Sequence, residues 1–191
     1  MSPKITDRSP ARERLLAAAD ELFYSEGVNT VGIDKVIERA GVAKASLYNA
    51  FGSKDELIRA YLARRHEARQ ARLARKLALY DTPREKLLGV FDALSDLVAE
   101  TGFRGCAFLN ASAEAQPGSA VEEVSDSSRA WVRSLFRDLG REAGAADPDQ
   151  LARQLVLLYD GATVGAKMDR DAGAATVAKS VAAMMIDNAI A

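Results

Sequence analysis

Residues 32–57, GIDKVIERAGVAKASLYNAFGSKDEL, restrict what this chain can fold into more than any other segment. Ile33, Val36 and Ile37 recur at helical spacing, Gly41 supplies a turn, and Val42, Leu47 and Phe51 carry the apolar face into a second short helix. Helices shorter than about 12 residues are marginal in water, so the two halves must pack on each other and on a neighbour. With Leu47 and Phe51 turned inward, the i, i+4 pairs Lys44/Tyr48 and Ala45/Asn49, with Ser46 beside them, lie on the side left for a partner. A cation, a hydroxyl, a phenol and an amide on one short helix suit the phosphates and base edges of duplex DNA.

The rest of the chain is punctuated into helices. Ser9-Pro10 places a cap before a proline in the first turn, and Leu15, Leu16, Ala19, Leu22 and Phe23 form an apolar stripe that ends at Gly27. Ser53-Lys54-Asp55-Glu56 is a capping box that opens a long helix to about Tyr80, and Thr82-Pro83-Arg84-Glu85 opens another that ends near Gly102. Further helices are expected over about 105–115, from Ser119 to about Ala143, from Asp147-Pro148 to about Met168, and over about 174–190. With no period-2 segment and no internal repeat, the expected class is all-α: a three-helix reader over 1–55, a bridging helix over about 54–80, and a second helical domain within 56–191.

A chain of 191 residues buries about two thirds of its unfolded surface, enough for the reader and a second core. The net charge of −1 hides an asymmetry. Residues 1–76 hold 15 Lys and Arg against 10 Asp and Glu, and residues 77–191 hold 11 against 17. A basic front joined to an acidic back fits a DNA reader joined to a domain with another task. No apolar run approaches the roughly 20 residues of a membrane span, and MSPKITDRSPARER has no apolar signal core, so a cytoplasmic location is expected. The single cysteine excludes an internal disulfide. His66, the one histidine, lies in a basic run and is expected to be solvated; it has no second metal ligand beside it, nor does Cys106, and no Gly-rich phosphate loop follows a strand. These features argue against an enzyme, and no cofactor or metal is called for.

The pattern AGVAKASLYNAFGSKDEL in the first third of a helical chain resembles the DNA-binding domain of the TetR family of bacterial transcriptional regulators, closely over about residues 9–60 and by architecture beyond. The resemblance implies an all-helical homodimer with an N-terminal helix-turn-helix on operator DNA and a C-terminal domain for effector binding and dimerisation. It places Lys44, Ala45, Ser46, Tyr48 and Asn49 on the recognition helix and Lys54 at a phosphate-contacting position on the next. Gly32 stands where many members carry a Ser or Thr cap, Ala45 where Gly is common, and Asn49-Ala50 where bulkier or basic residues are common. The last two helices, rich in Leu151, Leu155, Leu158, Tyr159, Ala162, Val177, Val181, Met184, Met185 and Ile190, are similar to the pair that forms a four-helix bundle with a second subunit.

Two segments of the second half carry chemistry. Cys106 in FRGCAFLN is expected in the first turn of a helix, where the helix dipole and Arg104 stabilise negative charge on sulfur. Lys167 ends the nearly uncharged face GATVGAK, where an amine kept from water is a potential nucleophile. The pair GCAFLNASAE and GATVGAK resembles a TetR subgroup of electrophile and oxidant sensors that release DNA on thiol modification. Free cysteine is also a common small core residue. Two other readings stand beside thiol sensing: reversible binding of an apolar small molecule held by Phe103, Phe108, Trp131, Phe136 and Tyr159, and no effector at all. A helical adaptor with a lapsed DNA reader is the competing class, against which Lys44 and Tyr48 both stand.

Overall fold

The computed structural model describes residues 10–190, and all regular structure among them is helical. The helices are α1 (Pro10–Glu26), α2 (Ile33–Ala40), α3 (Lys44–Phe51), α4 (Lys54–Leu77), α5 (Pro83–Val98), α6 (Ala107–Glu114), α7 (Ala120–Glu142), α8 (Pro148–Met168) and α9 (Ala174–Ile190). The expected Ser9 cap lies outside the described residues. Thr82 forms a complete capping box with Glu85, and Asp147 caps α8 by accepting from the Gln150 amide. Ser53 accepts from the Glu56 amide at 3.1 Å, but the Glu56 carboxylate engages Arg59. Gly32 caps α2 with no side-chain bond, as a glycine must.

Several limits move inward from those expected. α4 stops at Leu77, with the chain turning through Tyr80, and α5 stops at Val98 before Gly102, whose φ of +87° is outside the helical range. α6 begins at Ala107, so Cys106 precedes the helix rather than sitting in its first turn.

The chain divides into two compact units. One gathers the residues up to Arg65 with Ala107–Ser125, and the other joins His66–Cys106 to the chain from Asp126 onward. The reader unit is thus not the contiguous segment 1–55: it takes in the first half of α4, α6 and the start of α7.

In the reader unit, Leu15, Leu16, Ala19, Leu22 and Phe23 of α1 are all buried, as their stripe requires, against Val36 of α2, Leu47 of α3, and Leu57, Ile58, Tyr61 and Leu62 of α4. Phe23 meets Tyr61 edge to face at 5.6 Å. Arg65 makes a two-pronged contact with Asp20 at 2.6 and 2.8 Å while stacking over Tyr24, which fixes α4 against α1. Gly41 takes φ +61° to close α2, where a side chain would be strained.

In the second unit the core is built by Leu87, Val90, Phe91 and Leu94 of α5, Phe136 of α7, Leu151, Leu155 and Tyr159 of α8, and Ala175, Ala178, Ala182 and Ile186 of α9. The alanines, three and four residues apart, give α9 a shallow face that lets it lie close to α5 and α8. Phe91, Phe136 and Tyr159 form a ring cluster with centroids 5.9 to 6.3 Å apart.

Candidate nucleic-acid interface and thiol cluster

α3 has one fully buried side chain, Leu47, with Phe51 half-buried at its end and held under the Arg12 guanidinium at 4.9 Å. That anchoring leaves Lys44, Ala45, Tyr48 and Asn49 exposed and Ser46 half-exposed, so the residues expected to face a partner share one surface. Lys44 Nζ donates to Asp34 of α2 at 3.0 Å, and this carboxylate raises the Lys44 pKa. Lys54 begins α4, and its ammonium points to the Asn29 carbonyl at 3.4 Å. Asp34 escaped the sequence reading because its acidic side chain is also ordinary for the first turn of a helix.

The turn between α1 and α2 is gripped from α6. The Asn29 amide donates to Glu114 Oε2 and the Asn29 side-chain amide to the Glu114 carbonyl, both at 2.8 Å. Arg59 of α4 donates to Glu123 of α7 at 2.8 Å. These contacts hold Ala107–Ser125 in the reader unit.

The second unit contains a polar cluster around the half-buried Cys106. Arg69 of α4 donates through one Nη to Cys106 Sγ at 3.4 Å and through the other to Ser128 Oγ of α7 at 3.1 Å. His66 Nδ1 lies 3.0 Å from the same hydroxyl, and its ring meets Trp131 edge to face at 5.4 Å. His66 is therefore not the solvated residue expected; burial first, and then the charge of Arg69, lowers its pKa. Arg69 and Ser128 were missed, yet the signal was in the periodicity. Leu62, His66, Arg69 and Leu73 form one stripe of α4, and Val121, Ser125, Ser128 and Val132 one stripe of α7, each with polar residues at inward positions. Ser125 is buried as well, and its hydroxyl has no partner among the described residues.

Lys167 is exposed, which corrects the expectation of an amine kept from water. Its aliphatic stem nevertheless lies against the Gly-Cys segment: a Cβ on Gly105 would fall 2.7 Å from Lys167 Cδ. Gly105, buried and at φ +89°, gives the lysine that room. The aromatic residues proposed as pocket walls part company. Phe136 and Tyr159 are buried in the ring cluster of the core, Phe108 belongs to the reader unit, and Phe103 and Trp131 remain half-buried. No three His, Cys, Asp or Glu side chains among the described residues are grouped to hold a metal, and none of the described helices is long and apolar enough to cross a membrane.

A short helix with a polar face, presented by a helix-turn-helix on an all-helical scaffold, defines a DNA-binding transcriptional regulator. Residues 15–61 match the family of bacterial regulatory proteins of the tetR type, and residues 83–182 match the tetracyclin repressor-like C-terminal domain. The chain belongs to the TetR family. It is similar to the transcriptional activator FasR of Mycolicibacterium smegmatis, 31% identical over 142 residues that cover 73% of this chain and 65% of that protein. The repressor NemR of Escherichia coli is 28% identical over 169 residues, covering 83% of this chain and 85% of NemR. The solved structure of NemR in its reduced form superposes with a TM-score of 0.77 at 25% identity, covering 95% of this chain and 97% of that one. The TetR-family regulator SCO4454 of Streptomyces coelicolor gives 0.84 at 32% identity, covering 95% and 89% of the two chains. The matched relatives are transcriptional regulators, which favours this reading over a helical adaptor.

Proposed function

We propose that the chain is a homodimeric repressor that holds operator DNA through α3 and leaves it when the thiol of Cys106 is modified. The exposed face of α3 supports the first part. Lys44 and Lys54 supply cations to phosphates, the Tyr48 and Ser46 hydroxyls donate to phosphate oxygens, Asn49 is placed to read a base edge through its amide, and Ala45 meets a thymine methyl. In the free protein Lys44 is held by Asp34, so a phosphate takes over a cation already oriented toward an anion. Specific affinity requires a second reader about 34 to 36 Å away, hence a dimer. Support for its location lies on α8 and α9, where Leu157, Met168, Val177 and Met184 are all at least 60% exposed and a Cβ on Gly161 would meet nothing. A second copy covering this face buries what one chain leaves open. Operator binding places the protein in the cytoplasm.

The trigger reading rests on one observation, the Arg69 guanidinium donating to Cys106 Sγ at 3.4 Å. A guanidinium held against the sulfur stabilises the negative charge that the sulfur carries as it attacks an electrophile. An α,β-unsaturated carbonyl would form an S–C bond at its β-carbon while its α-carbon takes a proton from water. A hydroperoxide would leave the sulfenic acid and an alcohol. Lys167, whose stem lies beside Gly105, would then meet the modified sulfur. Either product replaces the acceptor that Arg69 of α4 binds, and the conformer that holds both readers at half-site spacing is disfavoured. Reversible capture of an apolar molecule would instead use Phe103 and Trp131, which are half-buried in this structure.

The test of the contact face is binding to the chain's own upstream intergenic duplex. Lys44→Ala and Tyr48→Phe are expected to weaken binding to every duplex sequence, with the salt slope reduced by about 1 for the lysine, while Asn49→Ala relaxes preference at one base pair. Unchanged affinity in all three removes α3 as the contact face.

A further inference from the structure

The chain passes between its two compact units three times: within α4 after Arg65, ahead of α6 between Cys106 and Ala107, and within α7 after Ser125. We propose that the third crossing is a hinge, at which α7 bends over residues 125–128 and the reader unit changes the angle at which it presents α3. The hinge belongs to the scaffold and does not depend on Cys106 as the trigger.

Composition singles out that crossing. α4 crosses through Ala63, Arg64, Arg65, His66, Glu67 and Ala68, most of them strong helix formers. α7 crosses through Ser125, Asp126, Ser127 and Ser128, four consecutive residues whose side chains compete for backbone hydrogen bonds and weaken a helix interior. Asp126 and Ser127 are exposed, so burial does not make up for their weak propensity. A motion that leaves α4 straight is taken up at the other two crossings. The one before α6 is already non-helical, with Gly105 at φ +89°, so α7 supplies the remaining resistance.

A hydroxyl marks the same place. Ser125 is only 8% exposed, and its Oγ meets no hydrogen-bond partner among the described residues. The other buried hydroxyls are satisfied: Ser128 accepts from Arg69 at 3.1 Å, and Thr163 of α8 donates to the Tyr159 carbonyl, one turn back, at 2.8 Å. For Ser125 the carbonyl one turn back is that of Val121, and a serine that takes this bond bends its helix. A straight α7 thus leaves the hydroxyl unsatisfied and a bent one pairs it, which offsets part of the energy of bending. On the reader side, the tie from Glu123 to Arg59 is exposed and restrains the bend only weakly.

Hydrogen exchange on the full chain, read as protection factors along α7, tests the hinge. Residues 125–130 are expected to be at least about tenfold less protected than residues 133–138 of the same helix. Asp126→Ala with Ser127→Ala strengthens the helix from its exposed side, and Ser125→Ala removes the unpaired hydroxyl. Each is expected to raise the protection of residues 125–130 by about fivefold and to leave residues 133–138 unchanged. Even protection along α7 in the wild type, or variants that leave the gap in place or raise both segments alike, overturns the proposal. Binding to the upstream intergenic duplex, an arm that rests on the operator reading above, is expected to close the gap, because a seated reader is held at one angle. Absence of binding there tells against the operator reading, whereas binding that leaves the gap open tells against the hinge.

Discussion

Asn29 and Glu114, 85 residues apart, exchange two hydrogen bonds at 2.8 Å, one from the Asn29 backbone amide and one from its side chain. The first goes to the Glu114 carboxylate and the second to its carbonyl, so both the chain position and the side chain of Glu114 are fixed against the turn that leads into α2. Gly27, at φ +98°, lies so close that a Cβ there would sit 2.6 Å from Glu114 Oε1. Asn29→Ala is expected to cost about 1 to 2 kcal/mol in urea unfolding, the worth of the lost side-chain bond and the disturbed one beside it. Gly27→Ala is expected to cost about 1 to 3 kcal/mol, from the left-handed backbone and the displaced carboxylate. In Gly27→Ala combined with Glu114→Ala, the carboxylate part of that cost disappears and the backbone part stays. Full additivity of the two changes would contradict the contact.

Asp34 of α2 holds the Lys44 ammonium of α3 at 3.0 Å. Asp34→Asn removes a negative charge from the face proposed to meet DNA and frees the ammonium it holds. The expected outcome is tighter binding to duplexes of any sequence, most visibly at low salt, with an unchanged ranking of operator over random DNA. Anisotropy titrations over a salt series measure both quantities, and weaker binding by the variant would show that Asp34 positions Lys44 rather than restraining it.

Asp92 of α5 accepts from Lys179 of α9 at 2.7 and 2.8 Å and from the Tyr80 hydroxyl at 2.7 Å. Burial pushes the Asp92 carboxyl upward, but the hydrogen bonds and charges of Lys179 and Tyr80, aided by Lys76, outweigh it and hold the group below its ordinary value. The folded state thus binds this proton less tightly than the unfolded chain. Its stabilisation is complete above the unfolded value of about 3.9 and is lost as pH falls through the lower folded value. Tyr80 behaves in the opposite sense: the bond to Asp92 raises its phenol to about 12, so that contribution is complete below about 10 and is lost as pH rises through about 12. Asp92→Asn should cost about 2 kcal/mol at neutral pH, with the gap to wild type closing in strong acid. Tyrosinate absorbance, with Tyr80→Phe as the reference, should show the phenol ionising at a lower pH in Asp92→Asn than in the wild type, where it ionises near 12.

Leu157 on α8 and Met184 on α9 are 69% and 60% exposed in one chain. Charged replacements there leave the core untouched yet oppose burial in a dimer. Leu157→Glu together with Met184→Glu is expected to yield folded monomers by sedimentation equilibrium, with helical content kept and operator binding weakened by at least about 100-fold, since one half-site is lost. Dimers that persist would move the interface to another face.

Local chemistry made much of this architecture legible in advance. Pro83 with Thr82, Pro148 with Asp147, and the buried stripe from Leu15 to Phe23 are short-range patterns, and each element stands within a few residues of its expected limits. The face of α3 followed from one constraint, that Leu47 points inward. Long-range pairings were not legible. Arg69 and Ser128 lie 59 residues apart on different helices, and the sequence signals only that each occupies an inward position. The basic run around His66 suggested a solvated face because charge was counted without helical phase. Lys167 failed for a related reason: uncharged neighbours along α8 do not bury a side chain whose end reaches solvent. The membership of α6 in the reader unit depends on Glu114 meeting Asn29, a pairing that no local pattern encodes.

Whether one sulfur governs occupancy of DNA is read most directly by fluorescence anisotropy on the upstream intergenic duplex. Purified protein is titrated onto labelled duplex before and after stoichiometric modification of Cys106, in parallel with Cys106→Ser. Tight, salt-dependent binding by both proteins is expected, with loss of binding by at least about tenfold when the wild type is modified and no response from the serine variant. Modified wild type that binds as tightly as before, or a serine variant that is released by the same reagent, would contradict it.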